Sequence, residues 1–244
     1  MAANKKSKNS RKKNGTESYI VPVIAIVIVV AVIAAVCISA AVSAGKYKKT
    51  VNDGNTPEND SVVQPLEKDE SYAPPEFNIS HYAEIDIKDY GKITIGLDAS
   101  AAPETVENFV SLANSGFYDG LTFHRIKEGF MMQGGDPDGN GNGGSENKIK
   151  GEFSLNGVDN PLSHVRGAVS MARAKDYDSA RSQFFIVHED STFLDGQYAA
   201  FGYVIEGIEV VDAICSAAKP LDSSYIIAAS EQPVINSITV WEAE

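Results

Sequence analysis

A glycine-rich segment that begins at Gly134 has the residue spacing that most directly suggests ligand chemistry. Gly139, Gly141 and Gly144 match G-x-G-x-x-G, the pattern in which glycine backbones approach the phosphates of a dinucleotide. Such a site needs an apolar helix directly after the glycines, because the N-terminus of that helix binds the phosphate. The residues that follow read SENKIKGEF and have no apolar helical period. The spacing therefore does not predict nucleotide binding.

The same segment begins like a calcium-binding loop, with Asp136, Asp138 and Asn140 at alternate positions. An EF-hand loop needs a bidentate glutamate at its last position, where this chain has Asn147. The four histidines have no metal-ligand spacing, and the sequence contains no G-x-S-x-G, C-x-x-C or H-E-x-x-H motif. We therefore expect no metal and no cofactor, and we interpret the glycine-rich segment as flexible surface chain.

A second group of motifs combines one arginine with apolar and amide side chains. From Thr122 the chain reads TFHRIKEGFMMQGGD, and later segments read GAVSMARA, SARSQFFIVHEDSTFLDGQYAAFG and VIEGIEVVDAI. In order and spacing these segments resemble the cyclophilin-type peptidyl-prolyl cis/trans isomerases over residues 80–242. The resemblance implies an enzyme that isomerises X–Pro bonds without a cofactor and that binds proline-containing polypeptides.

The resemblance also assigns residues to the site. Arg125, the arginine of the FHR motif, is the implied catalytic residue. The implied substrate-binding residues are Phe130, Met131, Gln133, Ala172, Gln183, Phe185, Phe193, Leu194 and Tyr198. The apolar members of this set would form a slot for the proline ring, and Gln133 would hold Arg125 and the substrate backbone. We interpret the neighbouring His124 as a structural hydrogen bonder rather than a catalyst.

The implied chemistry suits an arginine. A prolyl amide resists rotation because its resonance gives a barrier of roughly 18–20 kcal/mol. In the half-rotated state the nitrogen lone pair is localised, so a fixed donor there stabilises the transition state more than either ground state. A guanidinium stays charged and offers several donors. No proton is transferred, so the reaction needs no acid/base pair.

Three positions depart from the best-known eukaryotic members of the family. Phe193 stands where tryptophan is common, Tyr198 where histidine is frequent, and Arg173 where asparagine is usual. These departures predict weakened cyclosporin binding more than lost catalysis. Arg173 also leaves an alternative open: a non-catalytic module or chaperone at the membrane that binds proline-containing segments with little turnover.

The order of elements predicts a mainly β fold. Short alternating segments follow one another with glycine-rich turns between them, which favours a closed sheet. Residues 102–116 have apolar side chains at helical spacing, with Pro103 suited to the first helical position, and residues 206–218 show a second helical pattern. The resemblance implies a closed eight-stranded antiparallel barrel capped by two α-helices, which agrees with this pattern.

An uncharged run of 26 residues, 19–44, precedes the domain. At about 1.5 Å per residue a helix of this length crosses a hydrocarbon core of about 30 Å. Six Lys/Arg precede the run and three follow it closely, so the positive-inside rule predicts a cytoplasmic N-terminus, residues 1–18, and an exported domain. A cleaved signal peptide ending near Ala44 and a lipoprotein signal ending at Cys37 remain alternatives.

Charge and composition divide the rest of the chain. Residues 1–49 hold nine Lys/Arg and one acid, whereas the remainder holds 12 basic and 32 acidic residues. An acidic domain argues against nucleic acid as a partner, because phosphate binding depends on Lys/Arg. Residues 45–76 are polar and proline-rich, so we predict a flexible linker there and an isomerase domain over 77–244. The sequence is thus identified as a bacterial, membrane-anchored member of the family, held in the cell membrane by a single-pass helix.

Overall fold

The computed structural model of the protein describes residues 66–244. The chain divides into two units, Met1–Asn59 and Asp60–Glu244, and every described residue belongs to the second. The predicted tail, the predicted transmembrane helix and residues 45–65 of the predicted linker lie outside the described residues. Within residues 66–244, no helix has both the length and the apolar character that a membrane span requires.

Eight antiparallel strands, two α-helices and three short 3₁₀ helices make up the regular structure of the described residues. The strands are β1 (His81–Ile87), β2 (Gly91–Leu97), β3 (Thr122–Lys127), β4 (Met131–Asp136), β5 (Ala168–Met171), β6 (Phe184–Val187), β7 (Ala200–Glu206) and β8 (Ile235–Glu242). The helices are α1 (Pro103–Asn114) and α2 (Ile208–Ala217). The strands form one sheet in the order β3-β4-β6-β5-β7-β2-β1-β8, so β3 and β8 are its edges.

The two edges of the sheet meet at one end only. Backbone hydrogen bonds run from Gly120 N to Ile235 O, 2.8 Å, and from Phe123 N to Pro233 O, 2.9 Å. Thr122 and Val234 form an isolated bridge, while the rest of β3 has no ladder with β8 among the described residues. The expected closed barrel is therefore a half-barrel of eight antiparallel strands, and the two expected helices are present.

Both helices form where their apolar spacing predicted them. Val106, Phe109 and Ala113 bury one face of α1, and Pro103 is its first residue. The Glu152 carboxylate accepts hydrogen bonds from the backbone N–H groups of residues 104 and 105, at 3.0 and 2.8 Å. This distant carboxylate satisfies donors that a helix leaves unpaired at its start.

Alternation along the strands creates two apolar clusters on opposite faces of the sheet. Phe184 and Met132 belong to the main core, which also contains Phe109 of α1. Their neighbours Phe185 and Met131 belong to the second cluster. Because successive side chains of a strand point to opposite faces, β4 and β6 contribute to both clusters at once. The second cluster is the platform on which the site is built.

The packed part of the chain begins before the predicted boundary at residue 77. The Tyr72 hydroxyl donates to Val204 O at 2.7 Å. The ring of Phe77 packs edge-on against Tyr203, with 5.0 Å between centroids. The Asp69 carboxylate lies 3.3 Å from Arg166. Residues 69–77 therefore form a segment docked on the half-barrel, a contact between distant parts of the chain that the local composition did not predict.

Candidate active site

A cavity of about 320 Å³ opens on the outer face of the sheet. Eight of the ten residues that the sequence assigned to the site line it: Arg125, Phe130, Met131, Gln133, Ala172, Phe185, Leu194 and Tyr198. We call this the apolar cavity, because the second apolar cluster forms its base. The motif residues, which are separated by up to 73 positions in sequence, are thus brought together.

A β-bulge determines which way Arg125 faces. On β3, Phe123 pairs with Gly134 and Arg125 pairs with Gln133, so His124 is an extra residue without a partner on β4. In a regular strand, residues 123 and 125 would share a face. With the extra residue, Phe123 and Ile126 both enter the main core. Arg125 is consequently directed to the cavity, which agrees with the frequent use of bulges to direct side chains at functional sites.

In the described part of the chain, the Arg125 guanidinium is held only by neutral acceptors. Its Nη1 donates to Gln133 Oε1 at 3.1 Å, and its Nε donates to Ser224 O at 3.1 Å. Within residues 66–244 no carboxylate lies within 4 Å of it. Burial lowers the pKa of Arg125, and the nearby Tyr198 and Tyr225 partly oppose that effect. The positive charge is therefore fixed in place, partly desolvated and uncompensated.

A chain of amide hydrogen bonds continues from Arg125. Gln133 Nε2 donates to Gln183 Oε1 at 2.8 Å, and Gln183 Nε2 donates to Gly143 O at 2.8 Å. Gln133 is the cross-strand neighbour of both Arg125 and Phe185. The predicted role of Gln133 in holding Arg125 agrees with this geometry. Gln183 does not line the apolar cavity; it lines a second cavity that adjoins it.

Phe193 is the other predicted site residue that does not line the apolar cavity. It lies in a 3₁₀ turn, Thr192–Leu194, and 65% of its surface is exposed. Its ring stacks on Phe130 with 5.7 Å between centroids and 27° between planes. Leu194, by contrast, is buried and lines the cavity. Phe193 is thus a rim residue that covers the outer side of Phe130.

A buried polar chain that the sequence did not reveal supports the cavity wall. His164 Nδ1 lies 2.8 Å from Asp195 Oδ1, and His164 Nε2 lies 2.9 Å from Ser170 Oγ. The arrangement resembles a hydrolytic triad, but Ser170 is fully buried and no substrate can reach it. Burial lowers the pKa of His164, against the opposing effect of Asp195. The imidazole stacks 6.0 Å from the Phe185 ring, so the chain fixes the wall.

His124 does not form the hydrogen bond expected of it. The side chain is fully buried, and neither ring nitrogen has a partner among residues 66–244. Burial lowers its pKa, so the imidazole is the neutral form near pH 7. The bulge explains the difference, because the extra residue is turned away from the ladder of β4 and its side chain fills space beside Gly141.

The glycine-rich loop is ordered by one carboxylate, contrary to the flexible chain that we expected. Asp136 accepts hydrogen bonds from the backbone N–H groups of Asp138, Asn140 and Gly141, at 2.6–3.1 Å. Burial alone would raise the pKa of Asp136, but these N–H groups lower it. The residues of the apparent calcium motif are therefore used within the loop. Residues 66–244 contain no cluster of His, Cys, Asp or Glu able to hold a metal ion.

A second cavity, of about 350 Å³, adjoins the first. The two share Gln133, Gly141, Ala172 and Arg173 as lining residues. Lys148, Arg173 and Arg181 contribute three positive charges to this second cavity, and no acidic residue lines it. We call it the basic cavity. The sequence did not indicate it, because its cationic residues come from three separate segments.

The fold is that of the cyclophilin-type prolyl isomerases. The family model described as "Cyclophilin type peptidyl-prolyl cis-trans isomerase/CLD" matches residues 82–240. The chain belongs to the cyclophilin-type peptidyl-prolyl cis-trans isomerase family.

Relatives and solved structures agree with this assignment. The chain is 50% identical to peptidyl-prolyl cis-trans isomerase B of Bacillus subtilis over 123 residues, which cover 50% of this chain and 82% of that protein. It is 42% identical to peptidyl-prolyl cis-trans isomerase A of Dickeya dadantii over 159 residues, covering 62% and 80%. A cyclophilin type isomerase of Cryptosporidium parvum, solved in the presence of the dipeptide Ala-Pro, is similar with a TM-score of 0.58 and 30% identity, covering 66% of this chain and 99% of that one.

Proposed function

We propose that the protein catalyses cis/trans isomerisation of X–Pro bonds in polypeptides, with the apolar cavity as the proline site. The observation that carries this proposal is the Arg125 guanidinium, fixed by neutral acceptors at the edge of an apolar cavity. A charge without a carboxylate partner is available to a ligand. The family and the names of the relatives support the same activity.

Arg125 acts by stabilising the twisted amide. When the X–Pro bond is half rotated, the nitrogen loses its resonance and becomes a hydrogen-bond acceptor. A guanidinium N–H directed at that nitrogen binds the transition state better than the planar ground states, which lowers the barrier. The hydrogen bonds to Gln133 and Ser224 hold the donor before substrate arrives, so little reorganisation is needed. The nitrogen never takes the proton.

The apolar walls bind the ring and remove water. Phe130, Met131, Phe185 and Leu194 line the cavity, and the last three belong to the second apolar cluster. A proline ring placed among them leaves water, which favours binding by roughly 25 cal/mol per Å² of buried apolar area. A drier site also strengthens the interaction between Arg125 and the amide, because the local dielectric constant falls.

Exchange NMR on the full-length protein and a proline peptide tests the proposal. We expect cis and trans signals to exchange faster with catalytic amounts of protein, equally with and without EDTA. Absence of acceleration at stoichiometric protein would contradict catalysis. A second candidate function is a module that binds proline-containing segments with little turnover; the observation in its favour is Arg173, which lines the cavity at a position where the family usually has asparagine. Chemical-shift changes on adding peptide, without faster exchange, would favour this second function.

We also propose that the domain is held at the outer face of the cell membrane and assists the folding of exported proteins. The uncharged run 19–44 and the excess of Lys/Arg before it support this topology. Protease added to cells stripped of any wall should remove the domain. Full protection of the domain in intact cells, with digestion after lysis, would contradict the orientation.

A further inference from the structure

The basic cavity stands out against the charge of its surroundings. Residues 66–244 contain 12 Lys/Arg and 29 Asp/Glu, a net charge of −17. Three of those cations line the basic cavity, and Arg125 lines the adjoining apolar cavity. Neither cavity has an acidic lining residue. Asp136 and Asp138 pack against Gly143 without lining the cavity, and Asp136 is occupied by backbone donors.

The cations of the basic cavity are not neutralised within the described structure. Among residues 66–244, no carboxylate lies within 4 Å of Lys148, Arg173 or Arg181. Within the same residues, Lys92 has such a neighbour in Glu84 at 2.6 Å and Arg166 in Asp212 at 2.6 Å. The basic cavity differs from the other unpaired cations in bringing three of them around one space. Three unpaired cations around one cavity attract an anion, and like charges held close together repel one another until an anion binds.

Arg173 is held in position for this role. Its Nε and Nη2 donate to Gln197 O at 3.0 and 2.8 Å, and its Nη1 donates to Ala174 O at 3.0 Å. Its guanidinium lies over the Tyr198, Tyr177 and Phe153 rings, 4.7–5.1 Å from their centroids. A guanidinium has five N–H groups, so two remain without an acceptor within residues 66–244. The charge is therefore fixed at the boundary of the two cavities with donors to spare.

We infer that the basic cavity selects substrates with an aspartate or glutamate close to the proline in sequence. This inference rests on the proposed function, since it assumes that the proline ring occupies the apolar cavity. The shared lining places the two cavities side by side. An extended peptide advances about 3.3–3.6 Å per residue, so a side chain within about three residues of the proline reaches the neighbouring cavity. The carboxylate would accept from Arg173 and from Lys148 or Arg181.

Paired peptides test this inference on the full-length protein. One glutamate is moved through the three positions before and the three positions after a single proline, and each peptide is compared with its glutamine counterpart. At one or two positions we expect kcat/KM for the glutamate peptide to be about fivefold higher in dilute buffer. In 0.5 M salt the ratio should fall below about twofold, because the charges are screened.

Variants then locate the selectivity. Lys148→Gln and Arg181→Gln should each lower the glutamate-to-glutamine ratio, the double variant should lower it further, and the triple variant that adds Arg173→Gln should bring it to about one. Lys88→Gln removes the same charge from an exposed residue that lines neither cavity, and should leave the ratio unchanged. Lys148 is exposed, so its variant keeps the test open if Arg181→Gln does not fold.

Two results would overturn the inference: no position at which glutamate exceeds glutamine, or a preference that persists in the triple variant. The glutamine peptides separate this failure from failure of the proposed function. If none of them is isomerised, catalysis itself is wrong, and the ratio of dissociation constants from NMR titration still reports whether the basic cavity prefers a carboxylate.

Discussion

Two regions of the molecule are each centred on a half-buried arginine, and they use it in opposite ways. Arg166 donates to both carboxylate oxygens of Asp212, at 2.6 and 2.8 Å, and also contacts Asp69 at 3.3 Å. The hydrogen bonds that Arg166 donates to Asp212 raise the pKa of Arg166. Among the residues that the structure describes, Arg125 has only amide and carbonyl acceptors, and burial lowers its pKa. One charge is neutralised inside the fold, and the other is not.

The difference separates stability from function. Arg166 connects three parts of the chain: the segment after Val165, the docked N-terminal segment through Asp69, and α2 through Asp212. A carboxylate at Arg125 would hold that side chain more firmly, but it would also occupy the donors that a substrate needs.

Removing the uncompensated charge should have the largest effect. Arg125→Ala should lower kcat/KM by about 10²–10³-fold, or about 2.7–4 kcal/mol, because it removes a donor that acts in the transition state. The melting temperature should change little. Arg125→Lys keeps the charge but loses the planar guanidinium, so its kcat/KM should lie between those of the unchanged protein and Arg125→Ala. A folded Arg125→Ala protein with normal turnover would instead point to a binding module.

Removing the neutralised charge, that of Arg166, should lower stability and leave turnover unchanged. Arg166→Ala should reduce the free energy of unfolding by about 1–2 kcal/mol, a figure lowered because its side chain and that of Asp212 are 27% and 35% exposed. The turnover of proline peptides should remain unchanged. Urea denaturation and exchange NMR on the same sample measure both quantities. Lost turnover in a folded Arg166→Ala protein would show that the two regions are coupled.

Acid should weaken the Arg166 region before it affects turnover. Burial would raise the pKa of Asp212, but hydrogen bonds and charges from Arg166 and His188 outweigh burial and lower it to about 2. A carboxyl whose pKa is lower in the folded state stabilises the fold above its unfolded pKa of about 4, and that stability is lost as the pH falls towards 2. In Asp212→Asn the melting temperature should therefore fall less steeply between pH 5 and pH 2 than in the unchanged protein. An unchanged acid slope would contradict the assignment.

The smallest effect should come from the rim of the cavity. Phe193→Ala removes a 65% exposed ring that stacks on Phe130, so KM should rise about two- to fivefold while kcat and stability stay nearly constant. Leu155→Ala is a matched control, because Leu155 is 60% exposed and lines neither cavity. Equal effects of the two changes would show that Phe193 has no special role.

Local patterns were enough to predict much of the fold. The spacing of Val106 and Phe109 predicted α1, and the alternation of Ile93 and Ile95 predicted β2, because each pattern reports which side of one element faces the core. The motifs around Arg125 predicted most of the residues that line the apolar cavity, because the resemblance to the family assigns them by their order in the sequence. These predictions depend on neighbouring residues or on motif position.

What escaped prediction depends on contacts between distant segments. The chain of Asp195, His164 and Ser170 joins residues up to 31 positions apart, and no spacing announces it. The capping of α1 by Glu152 and the docking of Tyr72 on Val204 are of the same kind. The ordered glycine-rich loop was missed for another reason: its composition suggests mobility, but one buried carboxylate, Asp136, binds its backbone.

The bulge at His124 has a consequence for how this segment can vary during evolution. The direction of Arg125 depends on its place directly before Ile126, because neighbouring residues of a strand face opposite sides and Ile126 must remain in the core. Deletion of His124 would restore regular alternation and leave Arg125 between two core residues, Phe123 and Ile126, still directed to the cavity. Insertion of a residue between Arg125 and Ile126 would put these two side chains on one face and turn Arg125 away from the cavity. The segment should therefore accept replacement or loss of residue 124 in descendants of this sequence, whereas an insertion directly after Arg125 should be eliminated.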